Sequence, residues 1–163
     1  MVFDTRRSLE FTAYGIVLMW ALWTTIVTVT DLFDLFVQLQ VLPAHFSAAS
    51  GNFALVEHFL DHYRINYAPL AYTIFITING WIGITAIVYW RAITAFHGHN
   101  QVSYARYTIL GFLLNMGLCA CFLIADEIFI QYAAGHSHMN RLMFMLLTFV
   151  SFLWLRVYDH STN

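Results

Sequence analysis

Apolar residues gather in four runs of about 20 positions, divided by short polar patches, and about 20 residues is the length a helix needs to cross the hydrocarbon layer of a bilayer. The first run covers about 11–30 and is rich in Trp, Leu and Val, with Thr12, Thr24, Thr25, Thr28 and Thr30 among them. Threonine hydroxyls bond back to their own helix, so they need no further role. The run that follows, LFDLFVQLQVLP, is expected to prolong this helix until Pro43 stops it. The second run, about 69–90, starts at Pro69, which suits a first helical turn, and carries Asn79-Gly80 at its centre. The third, about 107–131, has Asn115 near its middle and Asp126-Glu127 near one end. The fourth, about 139–157, is Met, Phe and Leu with Thr148 and Ser151. Tyr67, Tyr89, Trp90, Tyr107, Tyr132, Trp154 and Tyr158 lie near the run ends, where interfacial aromatics concentrate.

Residues 31–68 form the one sizeable loop. Within it, Asn52–His62 has helical periodicity, with Ser50 or Asn52 as candidate N-cap. At ~100° per residue, Phe53, Val56, Leu60 and Tyr63 share one side, and Glu57, His58, Asp61 and His62 fill the other. This predicts an amphipathic helix lying on the membrane surface or capping the bundle. The expected fold is therefore all-α: one integral membrane domain over 1–163, a four-helix bundle with an extra amphipathic helix in its first extracytoplasmic loop.

Composition strengthens this reading. The chain is 60% hydrophobic and 10% charged, against about 25% charged in soluble domains. Lysine is absent, the seven basic residues are all Arg, and there is no basic tail, so nucleic acid is not an expected partner. Cys119 and Cys121 would point about 200° apart on one helix, which argues against a disulfide. Arg6-Arg7 before a long apolar run reads as an uncleaved signal anchor. Arg6, Arg7, Arg91, Arg106 and Arg156 fall on one side of a four-span chain and Arg64 and Arg141 on the other, which puts both termini in the cytoplasm. The outer side is then acidic and His-rich.

Two constellations could carry chemistry. His58 and His62, at i, i+4 with Asp61 between them, could join Glu127 in a site for Zn, Fe or Mn. The pair is not the H-E-x-x-H protease motif, since no Glu follows His58. The plainer alternative is a solvated polar face. In the third run, Gly111, Asn115, Phe122 and Asp126 fall within ~60° of one another, with Cys119 beside them, the mark of a packed helix face. Asp126 would turn inward, with Glu127 about 100° further round. Arg141 could pair with either, and Asn79 and Asn115 would serve as hydrogen-bonding glue between helices. The functional alternative is a proton or cation acceptor facing outward. The inner half of the bundle reads as nearly free of polar groups, which counts against a channel or pump.

No histidine falls inside a run, so buried bis-His haem is not expected. A lipid or quinone groove lined by Phe and Trp stays open. No nucleophile–base pair and no phosphate-binding loop occurs. His97-Gly98-His99-Asn100 reads as a turn joining two antiparallel helices.

Thr30-Asp31, the segment Gly51-Asn52-Phe53-Ala54-Leu55-Val56-Glu57-His58, and Asp126-Glu127-Ile128-Phe129 together resemble the small four-span integral membrane proteins of unknown function found in proteobacteria. The chain departs from them in a longer stretch between Asp31 and Asn52, and in Asn rather than an acid near the centre of the second span. The resemblance implies a four-span bundle and a bacterial inner-membrane location, and carries no activity. The expected role is a non-catalytic accessory subunit of a larger inner-membrane complex, with respiratory or other energy-transducing assemblies as the setting. Lipids and other membrane subunits are the expected partners. The alternatives are a small protein with an outward-facing metal or proton site, and a lipid or quinone binder.

Overall fold

The computed structural model describes residues 5–65, 67–128 and 132–161, with side chains over 8–65, 67–128 and 135–157. Phe129, the last positions of the expected third span, and the side chains of Arg6, Arg7, Tyr132, Tyr158 and His160 lie outside the described residues. Among those described, the chain is all-helical: α1 Thr5–Gln38, α2 Asn52–His62, α3 Ala68–His97, α4 Gln101–Ile128 and α5 Tyr132–Ser161. Four of these hold segments long and apolar enough to cross a membrane: Ser8–Gln38, Ala68–His97, Gln101–Ile128 and Gly135–Val157. Each overlaps one of the four apolar runs and extends beyond it. At 34 residues, α1 is roughly 51 Å long, well beyond a 30 Å hydrocarbon core.

Three helices stop in the same way. After α1, the Val41 N–H donates to the Phe36 carbonyl (2.9 Å) and the Gln40 N–H to that of Val37 (3.0 Å), with Gln40 at φ 59°. Arg64 (φ 56°) closes α2 and His99 (φ 55°) closes α3 through equivalent bonds. This is the Schellman arrangement, in which a left-handed residue lets two amides fold back onto the last carbonyls. So α1 ends at Gln38 through its own backbone, before Pro43 is reached. In the His97–Asn100 turn, the left-handed position is His99, not its neighbour Gly98.

The chain divides into two compact units: residues up to Ala21 with those from Ile87 onward, and Leu22–Ala86. In the first, the start of α1, the end of α3, and α4 and α5 each turn one stripe inward. Ala13, Val17 and Trp20 meet Tyr89 and Ile93, Tyr104 and Phe112, and Met145 and Phe152. The spacings within each helix, three, four, seven or eight residues, are those of one helical face. The α3–α4 approach is close: a Cβ placed on Gly111 would lie 2.6 Å from Tyr89 Cε1. Trp20 Nε1 donates to Thr148 Oγ1 at 3.1 Å, which satisfies the indole N–H inside the apolar core.

In the second unit, α2 packs through Phe53, which is 1% exposed, onto Ala71 and Phe75 of α3. Leu35, Val56, Leu60 and Tyr72 complete this smaller core. The Phe53 ring meets Phe75 edge-on at 5.3 Å and Tyr72 tilted at 4.8 Å. Tyr63, expected on the inward side of α2, is exposed, because it already belongs to the turn that closes the helix.

Candidate functional site

The densest polar arrangement in the second unit centres on Asp31 and Asp34. Three residues apart on α1, they share a face, and each is 2% exposed. A carboxylate withdrawn this far from water needs donors, because burying it bare is costly. The chain supplies them from the start of α2. Asp34 Oδ2 accepts from the Phe53 backbone N–H at 2.8 Å and from Ser50 Oγ at 3.1 Å. Asp31 Oδ1 accepts from Asn52 Nδ2 at 2.8 Å. The Ser50 N–H donates to the Thr30 carbonyl at 3.2 Å.

The first amides of a helix have no partner within it, and here a side chain from another helix takes one. The N-cap position itself is Gly51, at φ 76°, which has no side chain to offer. Its positive φ belongs to the region glycine enters at little cost. Of the two N-cap candidates read from sequence, Ser50 accepts the Asn52 N–H through Oγ at 3.2 Å, while Asn52 is the first helical residue. By position in the sequence, Asp31 and Asp34 simply follow the end of the first apolar run. An Asp-x-x-Asp pair on a helix that continues past its apolar run, followed by Ser-Gly-Asn, is the signal that could have revealed this role. The arrangement anchors the loop and orients α2; every described bond runs to a donor of the chain itself.

The proposed metal residues sit otherwise. His58, Asp61 and His62 are exposed on α2, and Glu127 is exposed near the end of α4, in the other unit. Among the described residues, no three His, Cys, Asp or Glu side chains are grouped so as to hold a metal ion. The metal reading of these four residues therefore rests on their spacing in the sequence.

On α4, Gly111, Asn115, Cys119 and Asp126 are buried, and Phe122 is half-buried. Asp126 Oδ2 lies 2.6 Å from His138 Nδ1 on α5. The His138 ring stacks on Phe122, with centroids 4.9 Å apart and planes at 23°. Arg141, a candidate partner for either Asp126 or Glu127, is exposed. The hairpin geometry explains the choice: a Cβ on Gly135 would lie 3.7 Å from Asp126, so the first turns of α5 press against the acid. His138 falls within that contact, and Arg141 lies almost a turn further on. Asn79 and Asn115 are both buried, yet Asn79 Oδ1 and Asn115 Nδ2 find no hydrogen-bond partner among the described residues.

Comparison with known proteins finds no matching family model, no matching curated protein and no matching solved structure.

Proposed function

We propose that the chain spans a bacterial inner membrane four times, with both termini in the cytoplasm. In this reading it is a non-catalytic accessory subunit of a larger membrane assembly, with a respiratory or other energy-transducing complex as its setting. Four helices of sufficient length and hydropathy support the spanning part. Exposed Ile26, Ile84, Leu113 and Leu147 along them suit contact with lipid. The arginine asymmetry supports the orientation. The resemblance to small four-span proteobacterial proteins agrees with the location and adds no activity.

The observation that carries the subunit reading is the apolar surface displayed around the end of α1. Phe36, Leu39 and Val41 are exposed, Val41 by 69%, although the loop that follows is tied to Asp31 and Asp34. Large apolar side chains held out on an ordered segment at the end of a span suit a protein partner. We read α2 as an amphipathic helix that holds this loop in place, with Phe53, Val56 and Leu60 packed inward and Glu57, His58, Asp61 and His62 turned to water.

The test is extraction from the source membrane in mild detergent, followed by native electrophoresis and mass spectrometry of the band. Migration within a large assembly, lost when Leu39 and Val41 are both changed to Ser, is the expected result. A chain running alone at monomer or small homo-oligomer mass overturns the subunit reading.

A further inference from the structure

The first unit buries more polar chemistry than its apolar sequence suggests. Tyr104, Thr108, Gly111 and Asn115 follow one another on α4 at spacings of four, three and four, so they form one inward face. Tyr89 of α3 lies over that face at Gly111. Four polar atoms here are buried without a hydrogen-bond partner among the described residues: the hydroxyls of Tyr89, Tyr104 and Thr108, and Asn115 Nδ2. All four side chains are more than nine-tenths buried. The Asn115 side chain lies close enough to the Tyr89 hydroxyl to interact with it, yet neither that hydroxyl nor Asn115 Nδ2 has a well-formed hydrogen bond.

In native proteins more than about nine in ten buried polar groups are satisfied, and each one left bare in an apolar interior is costly. Four such atoms on one face therefore point to a small polar occupant with both donor and acceptor capacity. At one end of the face is a small pocket lined by Glu10, Gln101, Tyr104 and Arg156 over apolar walls. It has room for about one water molecule. Arg156 is fixed there by a 2.8 Å bond to the Gln101 side chain and lies 5.9 Å from the Tyr104 ring centroid. At the far end, the next inward residue is Cys119, whose Sγ lies 4.0 Å from Met145 Sδ. From there to Asp126 the inward positions are the thiol and Phe122.

We infer that water enters at the Glu10–Arg156 pocket and hydrates the inward face of α4 through Tyr104 and Thr108 as far as Tyr89 and Asn115. The inlet is roughly 16 Å long, by the helical rise from Tyr104 to Asn115, and it is closed at Cys119. Tyrosine and threonine are ordinary in membrane segments, so of these four residues only Asn115 stood out in the sequence. The inference does not depend on the assembly reading; it needs only the packing of one unit.

The test uses the full chain in detergent, with Cys121→Ser to remove the exposed thiol and Thr108→Cys to place a reporter in the inlet. Silver ion, close to water in size, is the probe, and native Cys119 is the internal control. The introduced thiol is expected to titrate in the folded protein, while Cys119 reacts only when the unit opens. A difference of roughly tenfold or more is expected, since protected groups wait for such opening. Equal protection of the two thiols overturns the inlet. If Thr108→Cys does not fold, Tyr89→Phe decides. A hydrated hydroxyl predicts a midpoint lowered by about 2–4 °C, whereas an unchanged or higher midpoint means that the hydroxyl is dry and the inference fails.

Discussion

Asp34 is the residue whose loss should be felt most widely in its unit. Asp34→Ala removes the acceptor for the Phe53 N–H and the Ser50 hydroxyl together. A buried donor left bare costs about 1–3 kcal/mol, so this variant should melt earlier and lose its loop to protease at lower temperature. Asp34→Asn keeps one carbonyl oxygen for the Phe53 amide and should lose less. Gly111→Ala tests a different constraint. The added methyl would press on three atoms of the Tyr89 ring, at 2.6 to 3.0 Å. That ring is fully buried beside Phe112, 5.8 Å centroid to centroid, and has no free end to swing aside. Overpacking of this kind costs about 1–3 kcal/mol, which thermal unfolding of the variant would reveal. At Asp126, His138→Phe keeps an aromatic ring for the Phe122 stack and deletes the only described donor to the acid. A loss of about 1–3 kcal/mol near neutral pH is expected, with much less lost in an Asp126→Asn/His138→Phe double variant if the pair acts as a unit.

Among the elements, α2 depends most on its neighbours. Phe53→Ala empties the centre of the smaller core and should cost about 3–5 kcal/mol. Hydrogen exchange is the suitable readout: protection over Asn52–His62 should fall while that of α4 is unchanged. The long helices were legible from the sequence because hydropathy and length alone decide them, and α2 was legible from its period. The way helices end was not. Glycine is the usual sign of a left-handed cap, yet Gln40, Arg64 and His99 occupy that position and Gly98 does not. The pairing of α1 with α2 was also hidden, since acceptor and donor lie 16 to 21 residues apart across a turn whose course no local pattern reveals. Asp126–His138 was half visible. The inward turn of Asp126 followed from helical spacing, but the choice of His138 over Arg141 depends on where Gly135 lets α5 approach, which is a fact of packing.

For the whole chain, the apolar surface has to be covered by lipid, by partners or by both, and the native-electrophoresis experiment separates these. The cap on α2 adds an order of events. An isolated helix of 11 residues is marginal in water, because nucleation is costly and few bonds repay it. Its capping acid lies earlier in the chain, on α1, and the aromatic wall for Phe53 lies later, on α3. As the chain emerges from the ribosome, Asn52–His62 must therefore wait without its packing until Phe75 has been made and α3 has formed. During that interval Phe53 and Phe59 are open to chaperones and proteases. A stall or truncation before Phe75 should yield a product cleared far faster than one ending after α3. The quality of this small apolar chain would then be judged at the moment its second apolar run is complete.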